Sequence, residues 1–223
     1  KKLDVILIEQ DNLIGGDQLS ENNFNSFINL ELLKNLGIKV MTRTTAFGLY
    51  DNCVIGLLER VTDHVSNPDS KLPRQRFWTI RAKHIIVGSG ALERHIAFNN
   101  NDIPGVMTVN ASKHYLNRYG VLTGKNIVIA TNNDSVYETA SQLSTAGASV
   151  TVLDSRTNIE IDIDKNFEIL KGVVPYNING RKKINSLDIS KSENIEKFET
   201  LNCDQVLLSG GWSPAVWEEL KIL

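Results

Sequence analysis

Cysteine is scarce in this chain. The 223 residues include two cysteines, Cys53 and Cys203, which lie far apart and form no Cys-x-x-Cys pair. A disulfide framework, a redox dithiol and an iron–sulfur cluster are therefore not expected. The four histidines also lack the spacing of a metal site, so the sequence predicts no metal ligands.

Charge of one sign and long hydrophobic runs are lacking as well. The 24 Lys and Arg residues nearly balance the 26 Asp and Glu residues, for a net charge of −2. A nucleic-acid partner is not expected without a basic field. The longest apolar runs have the length of a strand, far below what a membrane span needs. With no signal peptide at the start, we expect a cytoplasmic protein that does not bind membranes.

Strand and helix patterns begin at once. The chain opens on Lys1 rather than Met, and the aliphatic run Val5–Ile8 is typical of a parallel strand buried on both faces. It stops at Leu223 within another predicted element, so we interpret it as part of a longer protein. Apolar residues three and four apart from Phe24 to Leu36 predict a helix that ends at Gly37. A second strand is predicted to start at Ile38.

Shorter strands follow. The segments 46–50 and 54–58 flank Asp51-Asn52, which predicts a β-hairpin. A further strand is predicted at 77–82. The run His84–Val87 predicts a strand that leads into the glycine turn Gly88–Ala91.

A second α/β unit follows Pro104-Gly105. Strands at 126–130 and 149–154 enclose a helix that Asn133 or Asp134 can cap and that Gly147 ends. Shorter strands are predicted between about 167 and 200, and 203–211 repeats the pattern of a strand followed by a glycine turn. The sequence thus predicts two domains, the first from 1–105 plus 203–223 and the second, inserted, from 106–202.

Glu9 is the sharpest candidate for binding. In dinucleotide-binding βαβ units, an acidic residue at the end of the second strand accepts hydrogen bonds from ribose hydroxyls. The alternative is an exposed carboxylate at a strand end. Gly15-Gly16 and the turn Gly88–Ala91 can let a ligand approach the backbone, and each can equally be a simple turn.

The second unit lacks the glycines of a phosphate-binding loop. Asn132, Asn133 and Asp134 stand after its first strand, where side chains obstruct a pyrophosphate and a carboxylate repels it. We therefore expect no dinucleotide there. Glu93 and His95 could act as acid and base, but no catalytic constellation follows from the spacing, and we predict no catalytic residue.

Several long strings resemble the α subunit of heterotetrameric sarcosine oxidase. The resemblance runs from about Leu3 to Trp217, and the strings that carry it lie at 42–51, 58–64, 90–94, 100–107, 115–120, 131–135 and 209–214. This family implies an α/β fold with two dinucleotide-binding domains, like the pyridine nucleotide-disulfide oxidoreductases. The second Rossmann-like unit is inserted in the first, and the first strand of that fold is missing from this sequence.

The resemblance also implies cofactors and partners. NAD occupies the first dinucleotide site of the family, and the second is vacant. Sarcosine is oxidised at FAD in the β subunit, and electrons pass to a covalently bound FMN near the α–β interface, where oxygen is reduced. The products are glycine, hydrogen peroxide and formaldehyde, which tetrahydrofolate in a separate C-terminal domain captures. The γ and δ subunits complete the complex.

The resemblance carries over to individual residues of the NAD site. Glu9 and Gln10 match the pair that binds the adenosine ribose, and Ala46 matches a backbone contact to adenine. Asp17, after Gly15-Gly16, falls near another contact where the family commonly has Thr. Gly90 and Ala91 match the turn that closes over the dinucleotide. Between Leu19 and Leu36 the sequence is shorter than the family and rich in Asn.

Two other functions stay open at the level of sequence. One is an FAD-dependent pyridine nucleotide oxidoreductase with FAD at Glu9, which the missing dithiol and glycines disfavour. The other is a scaffold subunit of an amine or opine dehydrogenase complex, which the strings at 44–48 and 209–214 disfavour.

Overall fold

The computed structural model describes residues 3–21, 30–160 and 166–215. These form two compact units, one ending at Ser89 and one spanning Gly90–Ala215. Residues 90–105 and 203–215, which the sequence analysis places in the first domain, thus pack in the second unit. No helix among the described residues is long and apolar enough to cross a membrane.

The first unit begins with a parallel strand pair. Strand β1 (Ile6–Ile8) pairs with β2 (Lys39–Met41), and a 3₁₀ turn (Gly16–Ser20) and helix α1 (Leu30–Asn35) lie between them. Gly37 ends α1 with φ 75°, and its N–H donates to the carbonyl of Lys34, as predicted. The earlier positions of the predicted helix, from Phe24 to residue 29, lie outside the described residues.

Burial of β1 on both faces is not what the structure shows. Val5, Ile6 and Leu7 keep 37–38% of their surface exposed. In the described part of the chain, β1 pairs with β2 alone, so it stands at the edge of a two-stranded sheet. The aliphatic run predicted the strand and its parallel pairing correctly and its burial wrongly.

A three-stranded antiparallel sheet completes the first unit. It consists of β3 (Thr44–Tyr50), β4 (Val54–Arg60) and β5 (Gln75–Arg81) in that order. The predicted hairpin is confirmed, and its turn holds Asn52 and Cys53 at φ 60° and 54°. A β-bulge interrupts the register of β3 between Ala46 and Gly48.

The predicted strand at His84–Val87 is wrong. This run is not paired as a strand, and Ile86 is 95% exposed. A parallel strand exists only through hydrogen bonds to neighbouring strands, and none of the described strands lies beside it. The hydrophobic pattern therefore indicated a strand that the described residues do not form.

The second unit combines a five-stranded parallel sheet, two helices and a three-stranded antiparallel sheet. Its elements are β6 (Ala91–Glu93), β7 (Val106–Thr108), α2 (Val109–Tyr119), β8 (Asn126–Thr131), a 3₁₀ turn (Asp134–Val136), α3 (Tyr137–Thr145), β9 (Ser149–Asp154), β10 (Glu168–Lys171), β11 (Val173–Gly180), β12 (Ile184–Lys191), β13 (Asn194–Asn202), β14 (Gln205–Ser209) and β15 (Trp212–Pro214).

The central sheet of this unit is parallel throughout, in the order β10-β9-β8-β14-β7. The predicted βαβ unit is confirmed in β8, α3 and β9. Asn133 caps the turn into α3, because its side chain accepts the N–H of Ser135. Gly147 ends the helix at φ 104°, with its N–H donating to the carbonyl of Ser144.

Strand β14 lies in the middle of the core. Leu207 packs into one hydrophobic cluster with residues of α3 and β9, and Leu208 into another with β11 and β12. Both side chains are fully buried. The sheet is therefore covered on both faces, as parallel sheets require.

The antiparallel sheet β11-β12-β13 ends in β13, whose side chains are almost all exposed. Three of them, Glu196, Lys197 and Glu199, are charged. A two-stranded ribbon of β6 and β15 also belongs to the second unit, where Arg94 Nε donates to Ser213 Oγ at 2.7 Å.

Candidate functional site

Glu9 lies directly after β1, at its carboxyl end. Its backbone N–H donates to the carbonyl of Met41 at 2.9 Å, and its carbonyl accepts from the N–H of Thr44 at 2.9 Å. The segment after β1 is thereby fastened to the segment after β2. Strand-end carboxylates at this edge of a parallel sheet are where dinucleotide folds bind ribose.

One of the two carboxylate oxygens of Glu9 is hydrogen-bonded within the protein. Its Oε1 accepts from the backbone N–H of Asp11 at 2.9 Å. None of the described residues hydrogen-bonds the second oxygen, and the side chain is partly exposed. One acceptor oxygen is thus oriented and available to a hydroxyl donor, which fits the ribose of NAD.

Gln10, the second predicted contact, has an exposed side chain, and its backbone carbonyl accepts from Arg60 Nη2 at 2.6 Å. Sequence reasoning missed Arg60. It stands 50 residues away at the end of β4, and no local pattern could connect it to Gln10.

Gly15, Gly16 and Asp17 form the start of the 3₁₀ turn. The φ angles of Gly15 and Gly16 are 134° and 54°, a region that favours glycine. A Cβ at Gly16 would meet nothing within 4 Å, so the turn leaves open space there. Asp17 is exposed. The turn therefore has room for a ligand group beside Gly16.

Ala46 lies on β3 and is exposed. It pairs with Leu57 of β4 immediately before the bulge at Phe47. Thr44, two residues earlier, holds the carbonyl of Glu9. The structure therefore brings Glu9, Gln10 and the strand of Ala46 together within the first unit.

Gly90 and Ala91 belong to the second unit. Gly90 has φ 76°, and a Cβ there would meet nothing within 4 Å. Its carbonyl accepts the N–H of Ala215 at 2.9 Å, and Ala91 opens strand β6. The predicted turn thus exists as a turn at the start of the β6–β15 ribbon.

The loop after β8 is filled by its own side chains. Asn133 Nδ2 donates to the carbonyl of Ser209 at 3.2 Å, and Trp212 Nε1 donates to Ser135 Oγ at 3.1 Å. This is the edge of the second sheet where a dinucleotide fold binds phosphate. These bonds favour the expectation that no pyrophosphate binds there.

Asp154 ends β9 and is the counterpart of Glu9 in the second unit. It is fully buried. Its Oδ2 accepts from Tyr137 Oη at 2.5 Å and from Arg156 Nη2 at 2.8 Å, and its Oδ1 accepts from Arg156 Nε at 3.0 Å. Burial raises the pKa of Asp154, but the hydrogen bonds from Arg156 and Tyr137 outweigh it and hold the pKa below its usual value. Both carboxylate oxygens are thus occupied by the protein. Sequence reasoning missed this cluster, although Asp154 stands at a strand end where a carboxylate is informative.

Glu93 is held at the start of α2, where its Oε2 accepts from the N–H of Asn110 at 2.7 Å. Burial raises the pKa of Glu93, partly offset by that hydrogen bond. The favourable interaction with a helix N-terminus explains why a carboxylate stands there. Among the described residues, no group of three His, Cys, Asp or Glu side chains could hold a metal.

Solved structures resemble this fold at low sequence identity. The chain aligns with thioredoxin reductase from Lactococcus lactis over its full length and 81% of that chain, with a TM-score of 0.66 and 17% identity. It aligns with the water-forming NADH oxidase of Lactobacillus brevis, bound to NADH, over 98% of its length and 50% of that chain (TM-score 0.64, 16% identity). The predicted fold class, that of pyridine nucleotide-disulfide oxidoreductases, is confirmed. No protein-family model matches the chain.

Curated relatives decide the family. The sarcosine oxidase α subunit of Rhizobium meliloti (strain 1021) is 36% identical over 222 residues, which cover 95% of this chain. The resemblance to the sarcosine oxidase α subunit is confirmed. The same subunit of Corynebacterium sp. (strain U-96) is 35% identical over 186 residues, or 79% of this chain. The chain spans only about a fifth of each sarcosine oxidase α subunit, 22% and 19% of their lengths.

Proposed function

We propose that this chain is the NAD-binding part of a sarcosine oxidase α subunit. In this proposal, the free oxygen of the Glu9 carboxylate accepts a hydrogen bond from the adenosine ribose of NAD. Gln10 and the backbone of Ala46 line the adenosine, and Gly15, Gly16 and Asp17 lie along the dinucleotide.

The observation that carries this proposal is the state of the two strand-end carboxylates. Glu9 keeps one oxygen without a hydrogen bond from any described residue, whereas the equivalent Asp154 is occupied by Tyr137 and Arg156. A dinucleotide fold needs a free acceptor for the ribose. The first unit offers one, and the second does not.

The chemistry of the whole enzyme is part of the same proposal, which the similarity to sarcosine oxidase α subunits supports. The intact protein oxidises sarcosine to glycine at an FAD of the β subunit, with hydrogen peroxide and formaldehyde as products. A covalent FMN near the α–β interface passes electrons to oxygen, and tetrahydrofolate in another domain captures formaldehyde. The γ and δ subunits complete the assembly. This chain would contribute NAD binding and no catalytic residue.

The first test is the identity of the bound nucleotide. The full-length protein, purified with its accompanying subunits, is denatured and the released nucleotides are identified by mass spectrometry. NAD released from this chain, with flavin covalently attached to another, is the expected result. FAD released from this chain and reducible by NADPH would instead indicate a flavin reductase.

The second test addresses Glu9. We expect Glu9→Gln to weaken NAD binding roughly tenfold or more, because an amide oxygen replaces a charged acceptor of the ribose hydroxyl. Glu193→Gln is the matched control, since Glu193 is an exposed glutamate in the turn between β12 and β13. Equal NAD affinity of the Glu9→Gln and Glu193→Gln proteins would exclude Glu9 from the site.

A further inference from the structure

Three consecutive carbonyls follow β1, and each has a hydrogen-bond donor. The carbonyl of Glu9 accepts from the N–H of Thr44 at 2.9 Å, and that of Asp11 accepts from the N–H of Arg43 at 2.8 Å. The carbonyl between them, on Gln10, accepts from a side chain, Arg60 Nη2, at 2.6 Å. Backbone pairing thus leaves a gap at Gln10 that Arg60 fills.

The peptide group that Arg60 binds is the one that orients Glu9. Its C=O belongs to Gln10 and receives the Arg60 guanidinium, while its N–H belongs to Asp11 and donates to Glu9 Oε1 at 2.9 Å. Hydrogen bonds at both ends of one peptide group polarise and strengthen each other. Arg60 is therefore linked to the Glu9 carboxylate through a single planar unit.

Asp63 is a charged neighbour of Arg60. The small cavity beside it, about 90 Å³, is lined by Arg43, Arg60, Asp63 and His64, and is too small for a nucleotide. The Asp63 carboxylate is held by Arg74 and by Gln75 Nε2. Hydrogen bonds from Gln75 and Arg74 lower the pKa of the Asp63 carboxyl, and the positive charge of Arg60 contributes to lowering it, so Asp63 stays ionised and paired with Gln75 and Arg74. Arg60 makes its hydrogen bond to the Gln10 carbonyl instead.

We propose that Arg60 is a positioning residue for the adenosine ribose. It fixes the Gln10–Asp11 peptide group and thereby points the free oxygen of Glu9 at the 2′-hydroxyl. The inference rests on the proposed function, since it assigns Arg60 a role at the NAD site of Glu9. It does not place Arg60 in contact with the nucleotide.

The test compares two nucleotides in each variant. The full-length protein with its subunits is freed of nucleotide and titrated with NAD and with NAD that lacks the adenosine 2′-hydroxyl. We expect the unsubstituted protein to prefer NAD roughly tenfold or more, as a hydroxyl bound to a carboxylate does. In Arg60→Met this preference falls at least about threefold, and Arg60→Lys, which can still donate to the Gln10 carbonyl, keeps most of it.

The ratio separates positioning from loss of structure. A variant that merely loosens the first unit binds both nucleotides more weakly by the same factor and leaves the ratio unchanged. Arg76→Met is the control, because Arg76 lies on β5 of the same sheet and pairs with Glu59 at 3.0 Å. It should leave the ratio as it is.

The outcomes also separate this inference from the proposed function. An unsubstituted protein with no preference for the 2′-hydroxyl would refute the role of Glu9, and the role of Arg60 with it. A clear preference that Arg60→Met retains in full would overturn the role of Arg60 alone.

Discussion

Asp154 is a carboxylate that the second unit buries completely and then satisfies. Its oxygens accept from Tyr137 Oη, from the guanidinium of Arg156 and from the backbone N–H of Arg156 at 2.9 Å. Burial raises the pKa of Tyr137, and its hydrogen bond to the Asp154 carboxylate raises it further. Arg156 also reaches Asp134 at 2.6 Å, so one guanidinium joins the end of β9 to the turn before α3.

Removing Arg156 should destabilise this end of the sheet. Arg156→Met removes the positively charged partner of the buried Asp154 carboxylate. This lowers the free energy of unfolding by about 3 kcal/mol at neutral pH. We expect faster amide hydrogen exchange in β8 and β9 of the full-length protein, measured by mass spectrometry. Arg181→Met, at an exposed arginine between β11 and β12, is the control and should leave exchange unchanged.

The effect of Arg156→Met should depend on pH in one direction. The folded pKa of Asp154 lies below its unfolded value, so the ionised group stabilises the fold above about pH 4 and this contribution fades as pH falls further. Burial without the guanidinium raises the pKa of Asp154 in the variant, so the difference in stability between the two proteins should shrink as the pH falls. A difference that grew on acidification would contradict the assignment.

At the scale of single elements, local signals predicted what local chemistry determines. Gly37 and Gly147 end their helices because a positive φ lets the following N–H groups reach the last carbonyls. Asn133 caps the 3₁₀ turn that leads into α3, because its side chain accepts the N–H of Ser135. These features depend on neighbours in sequence, and the sequence therefore predicted them.

Pairing between distant segments was the part that local patterns could not supply. The run His84–Val87 has the composition of a strand and no paired neighbour among the described residues, whereas β14 is central because β7 and β8 flank it. The same reason hid the site contact of Arg60, since Gln10 lies 50 residues away. The residues of a segment set its preference for a strand, and pairing with neighbouring strands determines whether that strand forms.

The β11–β12 hairpin should depend on one glycine. Gly180 has φ 157°, and a Cβ there would lie 2.1 Å from the carbonyl oxygen of Lys183. We expect Gly180→Ala to force the turn apart and to speed tryptic cleavage after Arg181–Lys183 roughly tenfold, through opening of the hairpin. Gly88→Ala is the control, because a Cβ at Gly88 meets nothing within 4 Å. Equal cleavage rates in both variants would contradict the clash.

At the scale of the whole molecule, the second unit carries its own hydrophobic core on both faces of its sheet. The strands β8, β9 and β14 each contribute side chains to both clusters, the one around Leu207 and the one around Leu208. The relation between sequence and fold class is strong here, because alternate buried strands and helices predict a parallel sheet. The sequence alone did not indicate which unit keeps a free acceptor for ribose. That depends on the hydrogen-bond partners of Glu9 and Asp154, which only the structure supplies.

The central strand should dominate the stability of this unit. Leu208→Ala removes a fully buried side chain and leaves a cavity, for a loss of about 3 kcal/mol. Calorimetry of the full-length protein should show a lower melting temperature for the transition of this unit. Leu92→Ala, at a leucine 69% exposed on β6, should melt like the unsubstituted protein, and an equal drop in both would contradict the assignment.

The charged outer strand β13 has a consequence for how these molecules meet each other. Its outer backbone edge could serve as a template for a further strand from another copy. Glu196, Lys197 and Glu199 would bring charges and their bound water into any such pairing. We therefore expect these charges to disfavour the pairing of β13 with a strand of another copy, and with it edge-to-edge growth into fibrils.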